Sequence, residues 1–429
     1  MGPRSVTGDT LHPVKLGDVV NADALKYGKP LEGVRILSLE QMQALPYATQ
    51  LLARLGADVV KVEALSGESG RGAQPGMTAP HGEFVGATFL RNNLDKRSIT
   101  VNLKSDAGKQ IILDLAKKFD VFAENFKGGA LNRMGLGYDV VSAVNPRLIY
   151  VSVSGFGNSN SPYDGWPAYA AIAEAMSGIY DYMLSGPDET PRPNPVGALG
   201  DISSALFATI GILTALRHRD QTGEGQYIDV AMYDAMIAMT DIVTSMGSLG
   251  IDRLGEQKNL VCDPFRASDG WFVVQIGREH QMEKLAEIVG RPEFLTDERM
   301  ATRRGWALHV DDILRPGIEA WAKDLTRLQA CEQLSAVGIA ASPIQTSPEV
   351  RRDPHVLQRN MLIEMERTDG EEPPLVIPGN PIKMSKVAEG PDVRMPWIGE
   401  HTRSVLHEEL GLGDAEVDAL VADGVVTAP

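Results

Sequence analysis

The opening third of the chain alternates short apolar runs with helix-period segments, and this rhythm limits the fold more than any other feature. GVRILSLE (33–40) is an apolar run that begins at glycine, helical spacing follows from about residue 44 to residue 56, and ADVVKVE (57–63) is a second apolar run. A strand, a helix and a strand within about 30 residues make a βαβ unit, whose two strands lie parallel in one sheet. The rhythm repeats. SITVNL (98–103) reads as a strand, Ser105 opens a helix to about Phe119, and DVFAENF (120–126) is the next strand. A short helix ends near Asn145, and RLIYVSVSGFG (147–157) follows as another strand. The first 160 residues therefore read as a doubly wound α/β domain.

Further along, a strong helix runs from Asp201 to about Arg219 and stops at the turn DQTGEG (220–225). QYIDVAMYDAMIAM (226–239) begins as a strand and becomes a helix. Between about 250 and 343 the texture changes. GWFVVQI (270–276) is a strand, and helical segments cover 280–289 and 311–334, as expected of a second, smaller domain. The tail from Ser347 carries Pro/Gly breaks and ends in two short helices. The expected organisation is an N-terminal arm over 1–30, a large domain over 31–225 and a linker helix over 226–250. A small domain over 251–345 then precedes a return linker with the last part of the large domain over 346–429.

Composition narrows the partners. The 429 residues are 43% hydrophobic and 23% charged, the profile of a globular chain with a sizeable core. A formal net charge of -16 argues against nucleic acid or an anionic membrane as the main partner. Two cysteines, Cys262 and Cys331, do not make a disulfide framework, and a cytoplasmic location is expected. No apolar run reaches the roughly 18 residues that suggest a membrane span. The first 18 residues lack the apolar centre of a signal peptide.

Common cofactor and nucleophile motifs do not occur. No GxGxxG follows the first strand, and the phosphate loop GxxxxGK[ST] is missing, so neither NAD nor ATP is indicated by motif. The eight histidines are scattered, without HExxH or a Cys at ligand spacing, so no metal is expected. There is no GxSxG elbow. One carboxylate does stand out. In VGALGDISSALFATIGILTAL (196–216), Asp201 lies between a small, glycine-bearing run and a long apolar helix. Position alone makes it either a helix cap or a nucleophile. The two roles are compatible, because a helix N-terminus favours the ionised form a nucleophile needs.

Six stretches taken together carry a family signature. They are LGADVVKVE (55–63), NNLDKRSITVNLKSDAGK (92–109), AENFKGGALNRMGLGYD (123–139), NPRLIYVSVSGFG (145–157), GALGDISSALFATIGILTALRHRDQTGEGQYIDVAMYDA (197–235) and GEHTRSVL (399–406). In this order and at these intervals the chain resembles the family III CoA-transferases, the CaiB/BaiF family, over residues 30–410. The resemblance implies a Rossmann-like large domain with a parallel sheet, an inserted smaller α/β domain, and an obligate homodimer of two interlocked rings. It implies coenzyme A or acyl-CoA as substrate, an acyl-CoA donor and a carboxylic acid acceptor, and no metal, NAD or PLP.

The resemblance also assigns residues. Asp201 matches the nucleophile, and Gln43 matches a glutamine that faces the thioester. Asn125 and Phe126 match residues lining the CoA site, Arg133 and Met134 match contacts to its nucleotide end, and Lys96 and Arg97 match basic residues near the phosphates. Tyr169 matches a tyrosine near the acyl pocket. Each has a plainer reading: Phe126 as core, Lys96 and Arg97 as a solvated turn, Gln43 as a residue leading into a helix. The same family holds 2-methylacyl-CoA racemases, which need a histidine as acid/base partner. Here Trp166 stands where that histidine would be, and no histidine occurs between His81 and His218. The transferase branch is therefore expected, with the acceptor a small mono- or dicarboxylate. The glycine-rich flap of the formyl/oxalate enzymes has no counterpart around 259–272, and Pro167 replaces the lysine that precedes their tyrosine. A CoA-binding protein without activity is the reading from outside enzymology, and an intact GALGD segment speaks against it.

Overall fold

A computed structural model describes residues 12–158, 161–163, 165–184, 188–193 and 198–429, apart from the side chains of 256 and 257. The first 11 residues of the expected arm, Asp164, and Gly197 of the small run lie outside the described residues. The chain forms two compact units. One comprises the described residues within 1–179, 193–241 and 354–429, and the other those within 180–192 and 242–353.

The larger unit is built on a six-stranded sheet of β1 (Arg35–Leu39), β2 (Asp58–Glu63), β3 (Lys96–Thr100), β4 (Val121–Glu124), β5 (Ile149–Ser154) and β6 (Tyr227–Ala231). The spatial order is β3-β2-β1-β4-β5-β6, and every neighbouring pair is parallel. This is the Rossmann order, with the reversal between β1 and β4. The sheet is thus the parallel α/β sheet the sequence rhythm demands. Two boundaries moved. The third strand starts at Lys96 instead of Ser98. As expected, 226–239 begins as a strand, Tyr227–Ala231, which pairs along β5 in register as the sixth strand, and continues as the helix Met232–Met239, so the large sheet extends past the expected domain end at 225.

Alternate residues of each strand enter different cores, the mark of a sheet covered on both faces. Ile36, Val59, Val121, Ala123, Ile149, Val151 and Val153 face one cluster. Leu37, Val60, Ile99, Phe122 and Tyr150 face the other. The helices that position the site are α1 (Ala44–Arg54), α2 (Ala87–Asn92), α3 (Asp106–Ala116), α4 (Ala170–Met176), α5 (Leu199–Thr222) and α6 (Met232–Met239). α1 and α5 share the first core through small residues, Ala48 on one and Ala205 and Ala208 on the other. Larger side chains there would hold the helix axes apart. Leu45 and Leu52 are fully buried on the inner face of α1, each contributing about 2 kcal/mol of apolar transfer. α3 covers the opposite face with Ile111, Ile112 and Leu115.

α5 corrects one expectation. Its 24 residues have a mean hydropathy of 1.6 in the most apolar window, enough in length and composition for a membrane span. Half of that window is buried inside the structure. The apolarity of α5 therefore serves the core on its inner side, where Ala205, Ala208 and Ile212 are sealed.

The smaller unit has its own core. An antiparallel sheet of β7 (Val261–Ala267), β8 (Gly270–Ile276) and β9 (Ala340–Pro343) packs Phe265, Phe272 and Val274 against helical residues including Leu285, Trp306 and Leu334. The stretch 259–272 that lacks a glycine run is mostly the β7–β8 hairpin.

Candidate active site

In a doubly wound sheet, ligands settle beyond the carboxyl ends of the strands where the order reverses. A cleft of about 420 Å³ opens there. Its walls come from residues 41–44 after β1, 125–128 after β4, 153–157 at the end of β5, 165–169 before α4, and Asp201 on α5, with Thr88 of α2 and Met232 of α6. Five expected site residues, Gln43, Asn125, Phe126, Tyr169 and Asp201, meet in this one cleft from segments up to 158 positions apart.

Asp201 is not the helix cap. α5 starts at Leu199 with Ala198 as its N-cap residue, so Asp201 sits on the third helical position. Ala198 adopts φ 68°, ψ 38°, a left-handed conformation that L side chains resist. The Gly200 N–H is satisfied by the Glu174 carboxylate of α4 at 3.1 Å. A Cβ at Gly200 would lie 3.0 Å from the Ala170 backbone, so glycine lets the two helices close here. Among the described residues, the Asp201 carboxylate has no hydrogen-bond or ion-pair partner. Burial, then the charge of Glu174, push its pKa up to about 6, while Arg91 opposes the rise. At neutral pH the group is still mostly the carboxylate.

Gln43 precedes α1 and is buried. Its Oε1 accepts from the Arg91 guanidinium. That assignment leaves the Nε2 hydrogens as donors toward a ligand. Beside it, Met42 is left-handed at φ 62°. The Met42 N–H is held by Glu68 Oε2 at 3.0 Å. Two left-handed non-glycine residues, Met42 and Ala198, thus line the same cleft, where strain of this kind concentrates in functional sites.

Asn125 lines the cleft with its amide committed to the protein. Its Nδ2 donates to the Gln41 carbonyl and its Oδ1 accepts the Gln41 N–H, both at 2.9 Å. The Phe126 N–H goes to Glu124 Oε2 at 2.8 Å. Burial pushes Glu124 up to about 7. Tyr169 is 71% exposed at the rim. Trp166 joins an aromatic wall, 5.2 Å from the Tyr163 ring and edge-on to Phe156.

Four expected contacts lie elsewhere. Arg133 is exposed on the short helix Ala130–Met134 that follows the cleft loop. Met134 packs into the second core. Lys96 is sealed from solvent, and its Nζ is surrounded by Glu40 Oε1 at 2.7 Å, the carbonyls of Pro46 and Asn92, and Asn93 Oδ1. Burial lowers its pKa to about 8. Arg97 pairs with Asp58 at 2.6 Å and with Glu408. Asp58 opens β2, so Arg97 lies at the end of the sheet away from the cleft. Lys96 and Arg97 are therefore corrected from phosphate contacts to structural ion pairs. A lysine next to an arginine looks solvated in sequence, and only the fold brings Glu40 and Asp58 to them.

Sequence reasoning missed Met42, Thr88, Arg91 and Lys127. Lys127 is exposed where its loop lines the cleft. The dipeptide Gly128-Gly129 after it was the available signal. Gly129 is left-handed at φ 70°, and a Cβ there would meet Arg133 at 3.0 Å. Among the described residues, no group of three or more His, Cys, Asp or Glu is placed to hold a metal ion.

The family model for CoA-transferase family III matches residues 31–402. A succinyl-CoA:mesaconate CoA-transferase of Haloarcula hispanica is 34% identical over 392 residues, covering 89% of this chain and 97% of that protein. A formyl-CoA:oxalate CoA-transferase of Streptomyces coelicolor is 34% identical, covering 93% and 99%. The crystal structure of a CAIB/BAIF family protein from Brucella suis is similar at a TM-score of 0.78 and 32% identity, covering 89% of this chain and 99% of that one. The chain belongs to CoA-transferase family III, an enzyme family that works on coenzyme A thioesters.

Proposed function

We propose that the enzyme moves coenzyme A from an acyl-CoA to a small free mono- or dicarboxylic acid, with Asp201 as nucleophile. The observation that carries this reading is the uncommitted Asp201 carboxylate in the cleft, in the first turn of a 24-residue helix. The helix N-terminus favours the anion. A carboxylate oxygen attacks the thioester carbonyl carbon, the C–S bond breaks, and CoA thiolate leaves a mixed anhydride. The thiolate then attacks the Asp201 carbonyl carbon, and the donor's acid departs from an aspartyl-CoA thioester. The acceptor carboxylate attacks that carbonyl and expels the thiolate, which next attacks the acceptor's carbonyl carbon and returns Asp201 as the carboxylate. Every step exchanges acyl bonds of similar energy, which is the gain of covalent catalysis.

Gln43 Nε2 serves as the donor to the acyl oxygen. Phe126 and the Asn125 backbone line the path of the pantetheine arm, with Lys127 on the same loop and Arg133 on the helix after it for the phosphates. Tyr169 borders the acyl end. Relatives named as succinyl-CoA:mesaconate, succinyl-CoA–L-malate and formyl-CoA:oxalate transferases support small acids as acceptors. The racemase alternative has no support in the cleft, whose described lining contains no histidine and places Trp166 in the wall. The exposed stripe Leu206, Ile210 and Leu213 on α5 supports a homodimer that covers it. A cytoplasmic location completes the proposal.

Hydroxylamine trapping tests it. The protein is incubated with a panel of acyl-CoAs, treated with hydroxylamine and digested. A hydroxamate on the peptide carrying Asp201 is expected; its absence across the panel, with CoA bound, returns Asp201 to a structural role.

A further inference from the structure

Arg91 is a cation bonded to Gln43 of the cleft lining, and among the described residues no carboxylate pairs with it. Three arginines of the large unit, Arg54, Arg71 and Arg97, are held by carboxylates, by Asp392 at 2.7 Å, Glu63 at 2.7 Å and Asp58 at 2.6 Å. Among the described residues, Arg91 makes no ion pair. Its side chain donates to Gln43 Oε1, and the residue is exposed.

Its placement is specific. Thr88, one turn earlier on α2, lines the cleft, so the face that carries Thr88 and Arg91 is turned to it. Gln43, which Arg91 grips, lines the same cleft as Asp201. The guanidinium is close enough to lower the proton affinity of Asp201. Lys127 sits on the separate loop after β4, and Arg133 on the short helix that follows it. The phosphates of coenzyme A lie at the far end of the pantetheine arm from the sulfur. A cation beside the nucleophile therefore meets the acyl group and not the phosphates.

We propose that Arg91 determines specificity by receiving the distal carboxylate of a dicarboxylic acyl group, which makes dicarboxylic acids the substrate class of this cleft. The planar fork of guanidinium donors matches a carboxylate in two parallel hydrogen bonds. Only one direction of that fork is taken by Gln43, and the same contact orients the Gln43 amide toward the acyl oxygen. The assignment rests on Asp201 as the nucleophile.

The test compares two thioesters of equal chain length, succinyl-CoA and butyryl-CoA, by the rate of hydroxylamine-trapped adduct at Asp201. Wild type is expected to favour succinyl-CoA. In Arg91→Met the succinyl-to-butyryl ratio of kcat/KM falls about 100-fold, the scale of a desolvated charge-assisted pair. Arg91→Lys keeps the charge without the fork and lies between. The acid limb of the butyryl-CoA rate moves to higher pH in Arg91→Met, because the charge that opposes the rise of the Asp201 pKa is gone; the succinyl-to-butyryl ratio is the readout that a purely structural arginine would not move. Trapping at Asp201 with an unchanged ratio in Arg91→Met overturns the role of Arg91 and leaves the transferase reading standing. No trapping in wild type with either thioester overturns both. Melting curves of the variants establish that they are folded.

Discussion

The Asn125 side chain spans the switch point of the sheet and pairs with the backbone of Gln41, giving Nδ2–H to its carbonyl and taking its N–H at Oδ1, each at 2.9 Å. β1 and β4 are neighbours in the sheet, and the chain leaves them in divergent directions. The amide ties the two exits together where the cleft opens. Asn125→Asp keeps the acceptor but turns an anion toward the Gln41 carbonyl. The expected cost is about 1–3 kcal/mol of stability, read from urea unfolding, together with a fall in kcat/KM as Gln43 loses its setting. Equal stability of the variant would show the strut to be idle.

Asp201 is held at a cost to the fold. Its pKa is pushed up from 3.8 to about 6, so the native state binds the proton more tightly than the unfolded chain. The penalty is absent below about pH 4, grows through the window between 4 and 6, and is complete above it, where it amounts to about 3 kcal/mol. Asp201→Asn therefore melts higher than wild type at pH 7.5, and the gain shrinks on acidification to pH 4. Its transfer activity drops at least about a thousandfold. In wild type, kcat/KM falls on the acid side with an apparent pKa near that of Asp201.

The Glu40–Lys96 pair separates two roles for Lys96. Both side chains are completely shielded from solvent. Lys96→Met leaves the buried Glu40 with only the Thr49 hydroxyl and Lys61 at 3.7 Å, and is expected to cost about 3–5 kcal/mol. Glu40→Met combined with Lys96→Met recovers most of that loss, which a double-mutant cycle in chemical denaturation measures. If Lys96 held a phosphate instead, the single variant would raise KM for the thioester at unchanged stability.

Lys127 offers the converse case. It is exposed on the loop that lines the cleft. Lys127→Ala should leave the melting temperature within error, because surface changes of this kind stay within about 0.5 kcal/mol. It should raise KM for the acyl-CoA several-fold, with the difference from wild type fading at high salt. A KM insensitive to the substitution would place the phosphates elsewhere.

Met42 tests the strain at the cleft. Its φ of 62° suits glycine better than methionine. Met42→Val adds β-branching in the left-handed region and should destabilise by about 1–3 kcal/mol, whereas Met42→Gly should not. Equal stability of the two variants, measured by thermal unfolding, would show that the Glu68 contact and not the backbone conformation dominates there.

Much of the framework was legible because it is written in local periods. Apolar runs of strand length separated by helix-period segments recur from residue 33 to residue 157, and parallel pairing follows from the crossover lengths. The strand that turns helical over 226–239 was legible, as Tyr227–Ala231 and α6 bear out, but its place in the large sheet was not, because a half-buried edge position gives a weak pattern. The start of α5 was misplaced because a left-handed alanine, not an acid with capping chemistry, opens it.

The sequence by itself determined that this chain builds a doubly wound parallel sheet and that Asp201 lies near the start of a long apolar helix close to small residues. Both follow from contacts within a few positions. Only the tertiary structure decided which charges serve the cleft. Glu40 reaches Lys96 across 56 positions and removes it from solvent, while Gln43 meets Arg91 across 48 positions and holds it at the nucleophile's side. A lysine and an arginine five residues apart thus receive opposite fates. The physical reason is that the free energy of a charge depends on its burial and its partner, and neither is encoded in the residues next to it.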